Sequence, residues 1–243
     1  MTSIYKSRSH ILIRTGHRDP AEHCHMAAHI ILSLKQNMTA VCSGKPFSCR
    51  GIMIPPGASH CIHTHGQPAL VFLYNSTTRV AAQIREIQIL PESACDRICA
   101  LFSAFEKDGS SPAYASFERS LLAILDLESG CSVTDERILS AMKTIRSGLS
   151  EPLSCREIAD SVYLSQSRFS HLFRQQVGMT FSAYVICQRL MYAYTKMIEG
   201  SSITEAALES GFSSSTHFAE TNRRVFGLSA SSITKNITFT KVQ

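Results

Sequence analysis

The second half of the chain contains an internal repeat with an offset of about 49 residues. The segment "SQSRFSHLFRQQVG" (165–178) aligns with "SSTHFAETNRRVFG" (214–227). Each copy is preceded by a short helical pattern that begins with the S-x-x-E form of a capping box, at Ser154 and at Ser202. A short capped helix, a tight turn and a second helix that ends at glycine make up a helix-turn-helix unit. The repeat therefore predicts two such units in an all-helical module.

The segment between the two copies predicts one long helix. Its sequence is "TFSAYVICQRLMYAYTKMIEG", in which Thr180 can cap the start and Gly200 can stop the helix. About twenty residues with a rise of ~1.5 Å each span ~30 Å. One turn of B-DNA measures about 34–36 Å. The spacing therefore suits two recognition helices in successive major grooves on one face of a duplex.

Length and composition limit the classes of protein that the chain can be. With 243 residues, 44% hydrophobic and 18% charged, it can form two modest domains with ordinary cores. The net charge of +5 permits nucleic-acid binding without arguing strongly for it. No apolar run approaches the ~18 residues of a membrane span, and "MTSIYKSRSH" has no apolar segment after its charges, so we expect a cytoplasmic protein. The nine cysteines are then expected to be free thiols.

The first 90 residues have the pattern of short strands. Brief β-rich runs are separated by Gly, Pro, Asn or His, which is typical of a sandwich or a barrel. The runs are "HILIRTG", "IILSL", "MTAVCSG", "RGIMIPP" and "ALVFLYN". From Pro91 the period becomes helical. The chain thus changes from β-rich to helical near residue 90.

Two helices are predicted between residues 91 and 131, the second of them reaching Gly130. An apolar stripe on the second helix comprises Phe117, Leu121, Ile124 and Leu125. The stripe either covers the open side of the barrel or forms a dimer contact, and both can hold. "GCSVT" then has the composition of a short linker.

The region from about Asp135 to Lys235 resembles the AraC/XylS family of transcription regulators. The strings that carry the resemblance are "EIADSVYLSQSRFSHLFRQQVGMTFSAYV", "QRLMYAYTKMI", "ITEAALESGFSSSTHF" and "RRVFG". Nearer the front, "HCHMAAHIILSL" and "IMIPPGASH" resemble two stretches of the cupin-like barrels that precede the DNA-binding domain in that family. This second likeness is weaker.

The resemblance implies a multi-domain α+β fold. It comprises a cupin-like β-barrel over 1–90 that senses an effector, a helical dimerisation region over 91–131, and an AraC-type DNA-binding domain over 132–243. The expected partners are promoter DNA, a small-molecule effector, a second copy in a homodimer and RNA polymerase, with no membrane. The expected function is transcription regulation, more specifically effector-responsive activation, without catalysis or a required cofactor.

In this family the N-terminal part of each recognition helix meets base edges. Carried over to this chain, these positions are Ser167, Ser170 and His171 in the first unit and Ser215, Thr216, Ala219 and Glu220 in the second. Ser, Thr and His can hydrogen-bond to several base edges, and Glu can accept from cytosine N4. Arg174 and Arg223 suit phosphate contacts, which fix register rather than sequence.

The second unit departs from the family pattern. Asn222 stands where the first unit has Phe173, and we expect it to stay partly wet because a buried amide without partners is costly. Ala230 and Ile233 replace the usual Pro and Tyr of the family. Glu220 adds repulsion from phosphates. These departures predict that the first unit supplies most of the specificity.

Four histidines in the front half match the positions of metal ligands in cupins. The motif "HCH" supplies His23 and His25, and "PPGASH" supplies His60. His29 stands where metal-binding cupins have a Glu. Imidazoles bind divalent metals, and they also line pockets for organic effectors. Three interpretations stay open: a metal site, an effector pocket, or loop histidines without a site. The metal site corresponds to an alternative function, a metal-dependent cupin dioxygenase or isomerase fused to a helical module.

Overall fold

A computed structural model describes residues 2–7, 9–15, 22–24, 26–226 and 237–242. The chain divides into two compact units. The first comprises Met1–Gly130 together with Lys235–Gln243, and the second comprises Cys131–Thr234. The predicted helical module ends at residue 243, and this boundary is wrong because the last nine residues belong to the first unit.

Two sheets form the framework of the first unit. The strands are β1 (Thr2–Lys6), β2 (His10–Thr15), β3 (Ala28–Ser33), β4 (Met38–Cys42), β5 (Lys45–Cys49), β6 (Gly51–Ile54), β7 (His60–His63), β8 (Ala69–Tyr74), β9 (Gln88–Ile89) and β10 (Ile237–Lys241). The larger sheet has the order β10-β1-β2-β8-β3-β6-β9, and the smaller has the order β5-β4-β7. β10 pairs in parallel with β1, and the remaining pairs of the described strands are antiparallel.

The strands divide between two open sheets in the described part of the chain, so the predicted cupin-like barrel is not confirmed there. The five strands read from the sequence are confirmed as β2, β3, β4, β6 and β8. β10 was not predicted, although its residues "ITFT" (237–240) are β-branched or aromatic and favour a strand. Its partner β1 lies at the opposite end of the chain.

Residues of β3 alternate between the two faces of the larger sheet. Ala28, Ile30 and Leu32 belong to the core on the helical side. Ile31 belongs to the core between the sheets, and His29 shares its face because side chains alternate along a strand. Since all six residues of β3 are buried, this strand lies at the centre of the unit.

Three helices accompany the sheets: α1 (Arg79–Gln83), α2 (Glu92–Asp108) and α3 (Ser111–Ile124). α2 follows Pro91 and is capped at its end by Gly109. The φ of Gly109 is 69°, a left-handed conformation that glycine adopts without strain because it lacks Cβ. α3 ends at Leu125 rather than at the predicted Gly130.

The apolar stripe of α3 lies in the core of the first unit. Phe117 packs against Phe72 of the larger sheet and stacks on Phe105 of α2, with ring centroids 6.1 and 5.9 Å away. Leu121 is fully buried, and Ile124 and Leu125 pack on the same core. The stripe therefore covers the sheet, which is the first of the two alternatives.

The second unit is helical in its described residues. Its elements are α4 (Glu136–Ser147), α5 (Cys155–Ser161), α6 (Gln166–Val177), α7 (Phe181–Ile198), α8 (Ile203–Glu209) and α9 (Ser215–Phe226). We call α5 with α6 the first helix pair, and α8 with α9 the second helix pair. As predicted, Thr180 caps α7 through its hydroxyl, and the helix stops just before Gly200.

No helix in the described part of the chain is long and apolar enough to cross a membrane.

Candidate nucleic-acid interface

The first helix pair is held by an aromatic core. Phe169 and Phe173 of α6 are fully buried, and their ring centroids lie 5.3 Å apart. Phe181 and Tyr184 of α7 complete the cluster through edge contacts with Phe173. Because Phe169, Phe173 and Val177 recur every four residues, one face of α6 is fixed inward and the opposite face points to solvent.

The predicted base-reading positions of α6 lie on that exposed face. Ser167, Ser170, His171 and Arg174 are all exposed. They lie three or four residues apart, so they form one polar surface along two turns of the helix. The Ser165 hydroxyl caps the start of α6 by accepting from the Arg168 N–H. The cap satisfies one of the backbone donors at the helix end that carries Ser167.

The second helix pair presents a similar surface. Thr216, Ala219, Glu220 and Arg223 are exposed on α9, whereas Ser215 is only half-buried. The Ser214 hydroxyl accepts from the His217 N–H and caps the helix. α8 begins with a complete capping box between Ser202 and Glu205, as the sequence predicts.

Asn222 lies fully inside the second helix pair, so the expectation that it stays partly wet is wrong. The Tyr194 hydroxyl of α7 donates a hydrogen bond to Asn222 Oδ1. Tyr194 also contacts the ring of Phe218, which belongs to the same core. The second pair thus replaces the aromatic contact of Phe173 with a hydrogen bond across two helices.

The two turns differ in a way that the sequence analysis missed. Both contain a residue with positive φ at equivalent places: Tyr163 at 57° in the first pair and Gly211 at 80° in the second. Tyr163 is 96% exposed. The signal was present, because aligning the two copies of the repeat places a tyrosine opposite a glycine.

Three of the four predicted histidines lie together in the first unit. His23 and His60 form an antiparallel bridge with backbone N···O distances of 3.1 and 2.9 Å, and their ring centroids lie 4.5 Å apart. His29 of the larger sheet meets the His60 ring at 4.3 Å. The fourth, His25, lies outside the described residues.

The environment of His60 favours its neutral form. Burial lowers its pKa, and the neighbouring His23 lowers it further, whereas the hydrogen bond from Nδ1 to the Ala58 carbonyl opposes the shift. A neutral imidazole can bind a metal or hydrogen-bond an organic ligand. Within the described residues no group of three or more His, Cys, Asp or Glu side chains is arranged to hold a metal ion. A site that includes His25 stays a prediction.

A buried polar network that the sequence analysis missed lies elsewhere in the first unit. His10 Nε2 lies 2.6 Å from the Tyr114 hydroxyl, and Nδ1 lies 3.0 Å from Ser9 Oγ and 3.3 Å from Glu118 Oε1. Burial lowers the pKa of His10 to about 3. Ser9 and Glu118 also line a cavity of about 510 Å³. The other residues around this cavity are Pro112, Ala115, Arg119, Leu122 and Ser129.

Comparison with known proteins identifies the helical unit. A family model described as a helix-turn-helix domain matches residues 158–236. The chain is 32% identical over 93 residues to the regulatory protein PocR of Salmonella typhimurium, which covers 38% of this chain and 31% of PocR. It is 34% identical over 86 residues to the probable transcriptional regulator LumQ of Photobacterium leiognathi, 35% of each chain. The chain thus spans about a third of the length of the curated relatives it matches.

The fold of both units resembles that of ToxT from Vibrio cholerae. An apo structure of a ToxT variant superimposes with a TM-score of 0.64 and 10% identity, over 96% of this chain and 100% of that one. A structure of ToxT with a bound unsaturated fatty acid gives a TM-score of 0.59 and 11% identity, over 94% and 95%. At this identity the likeness concerns the fold alone. Residues 158–236 thus match a helix-turn-helix domain that is similar to those of transcriptional regulators, and the fold of the chain is like that of ToxT.

Proposed function

We propose that this chain is a sequence-specific DNA-binding transcription regulator in which both helix pairs act as helix-turn-helix units. The observation that carries the proposal is the polar face of α6. Its four predicted contact residues, Ser167, Ser170, His171 and Arg174, are exposed while the opposite face is fixed in an aromatic core. α6 and α9 are the recognition helices, with Arg174 and Arg223 on phosphates and the polar side chains on base edges.

The long helix α7 separates the two helix pairs by a distance suited to DNA. Its 18 residues span about 27 Å at 1.5 Å each. With the turns at both ends, this length approaches the 34–36 Å of one helical turn of B-DNA. Two recognition helices joined in this way can enter successive major grooves.

The first unit is the effector-binding domain in this proposal, an open and cupin-like arrangement of two sheets. His23, His25, His29 and His60 are the residues that contact the effector. ToxT, which has the same fold, has been solved with a fatty acid bound, and this supports a small-molecule role. The effector shifts the population of DNA-binding states, and the protein acts as a homodimeric activator that contacts RNA polymerase.

The test is DNA binding by the whole chain. A duplex selected from a random library serves as the probe, and its affinity is measured at several salt concentrations. We expect log K to fall linearly with log salt, and Arg174→Ala to reduce that slope by about one. Lys143→Ala, which removes an exposed charge on α4, is the matched control and should leave the slope unchanged. A folded protein that selects no duplex and shows no salt-sensitive affinity contradicts the proposal.

A further inference from the structure

Arg189 lies midway along α7 and donates hydrogen bonds to the loop that leads into the first helix pair. Its Nε donates to the Leu149 carbonyl at 3.1 Å, and its Nη2 donates to the Glu151 carbonyl at 2.8 Å. Both carbonyls belong to the connection between α4 and α5. A guanidinium presents donors in a fixed planar fork, so two bonds to one loop define the direction of that loop relative to α7.

The turn of the second helix pair packs on the same group. A Cβ on Gly211 would lie 2.3 Å from the Leu149 carbonyl oxygen and 2.8 Å from Arg189 Cζ. No real Cβ approaches a backbone oxygen so closely, so only glycine fits there. The half-buried guanidinium of Arg189 therefore lies between the loop that leads into the first helix pair and the turn of the second.

The repeat itself provides an internal comparison for Gly211. The equivalent turn residue of the first pair is Tyr163, which also has positive φ and whose side chain is exposed. Positive φ in this turn can thus be accommodated with a large side chain. Glycine is therefore required at 211 because Arg189 and Leu149 lie too close for a side chain, and not only because the turn needs a positive φ.

We propose that Arg189 and Gly211 form a junction that sets the distance and orientation between the two recognition helices. Arg189 is a positioning residue in this role, because its donors are bonded to main-chain carbonyls rather than directed toward the exposed faces of α6 and α9. The junction rests on the proposed DNA-binding function, and its consequence is specific. It determines which spacing between two half-sites the protein accepts.

The experiment measures affinity for a series of duplexes that carry the two selected half-sites with insertions of −1, 0, +1 and +2 base pairs. We expect the full chain to prefer one spacing by at least tenfold. Arg189→Ala should retain affinity for single half-sites but reduce the spacing preference to below about threefold. Gly211→Ala should do the same, and Arg189→Lys, which can reach one carbonyl but lacks the fork, should be intermediate.

Arg146→Ala is the matched control. Arg146 Nη1 donates to the Tyr184 hydroxyl at 3.1 Å, so this change removes an arginine hydrogen bond between α4 and α7 and leaves Arg189 and Gly211 in place. Its spacing preference should equal that of the unchanged protein.

The outcomes separate the two proposals. Arg189→Ala or Gly211→Ala protein that is folded by circular dichroism and keeps a tenfold preference overturns the junction. Unchanged protein that binds single half-sites but accepts all spacings equally also overturns it. If Arg189→Ala fails to fold, Arg189→Lys and Gly211→Ala decide the matter. Unchanged protein without affinity for any duplex refutes the proposed function instead.

Discussion

Tyr194 of α7 and Asn222 of α9 are joined by a side-chain hydrogen bond in the core of the second helix pair. Asn222 is fully buried, and burial raises the pKa of the Tyr194 hydroxyl, so the phenol stays protonated as the donor. The amide is therefore a structural feature of this unit rather than a defect of its core. In the first copy of the repeat, Phe173 occupies the position equivalent to Asn222.

This pair makes a prediction about stability. If Asn222 occupied a purely apolar site, Asn222→Phe would stabilise the second unit. We expect it to destabilise that unit by about 1–3 kcal/mol, because it removes the acceptor of the Tyr194 hydrogen bond. Tyr194→Phe should cost a similar amount. The double variant should recover much of the loss, since replacing both partners by apolar groups can be nearly neutral. Urea unfolding of the four proteins checks the cycle, and additive losses would contradict the coupling.

A second prediction concerns the division of labour between the recognition helices. His171→Ala should weaken binding to the selected duplex by about 1–3 kcal/mol, as expected for a lost base contact. Glu220→Ala should leave affinity unchanged or raise it, because the carboxylate repels phosphates. His65→Ala, a change of an exposed histidine in the first unit, is the control for the histidine variant. A large loss for Glu220→Ala beside a small one for His171→Ala would make α9 the main reader.

The turn of the first helix pair offers a stabilising change. Tyr163 adopts a φ of 57°, a conformation that costs an L-residue of the order of 1 kcal/mol or more, and its side chain is almost fully exposed. Tyr163→Gly should therefore raise the free energy of unfolding by about 1 kcal/mol. Tyr163→Ala keeps the Cβ and should bring no such gain. Equal stabilities for the two variants would show that the backbone conformation is not strained.

The buried His10 predicts a dependence of stability on pH. Burial lowers its pKa in the folded protein to about 3, while the unfolded chain titrates near 6.5. Between these values the unfolded state binds more protons, so stability is full above pH ~6.5 and falls as pH falls, by up to ~1.4 kcal/mol per unit. His10→Gln should flatten this fall between pH 6 and pH 4. Parallel curves for the two proteins in urea titrations would exclude His10 as the source.

The local features of the helical unit could be predicted from the sequence. Caps, helix stops and the aromatic faces depend on residues three or four positions apart, and a repeat doubles the signal. Ser202, Thr180 and Gly200 therefore act where the patterns indicate. The resemblance to cupin motifs also grouped His29 with His60, whose rings lie together in the structure.

The remaining features depend on partners that are distant in the sequence. The place of Asn222 is decided by Tyr194, which lies on another helix, so its hydrogen bond leaves no trace in local spacing. The Arg189 contacts run to a loop about forty residues earlier. His10 meets Tyr114 across more than a hundred residues. Side-chain composition indicates that such polar groups need partners, but only the folded chain shows which ones.

The pairing of β10 with β1 has a consequence for how the protein is made. Thr2 lies opposite Ile237, so this contact closes a loop of about 235 residues. During synthesis on the ribosome β1 emerges before β10, so the edge of β1 that pairs with β10 stays unpaired until the whole helical unit has been synthesised. An unpaired strand edge is a template for pairing with other chains. Nascent chains that stall within the helical unit should therefore be more prone to aggregate than the finished protein.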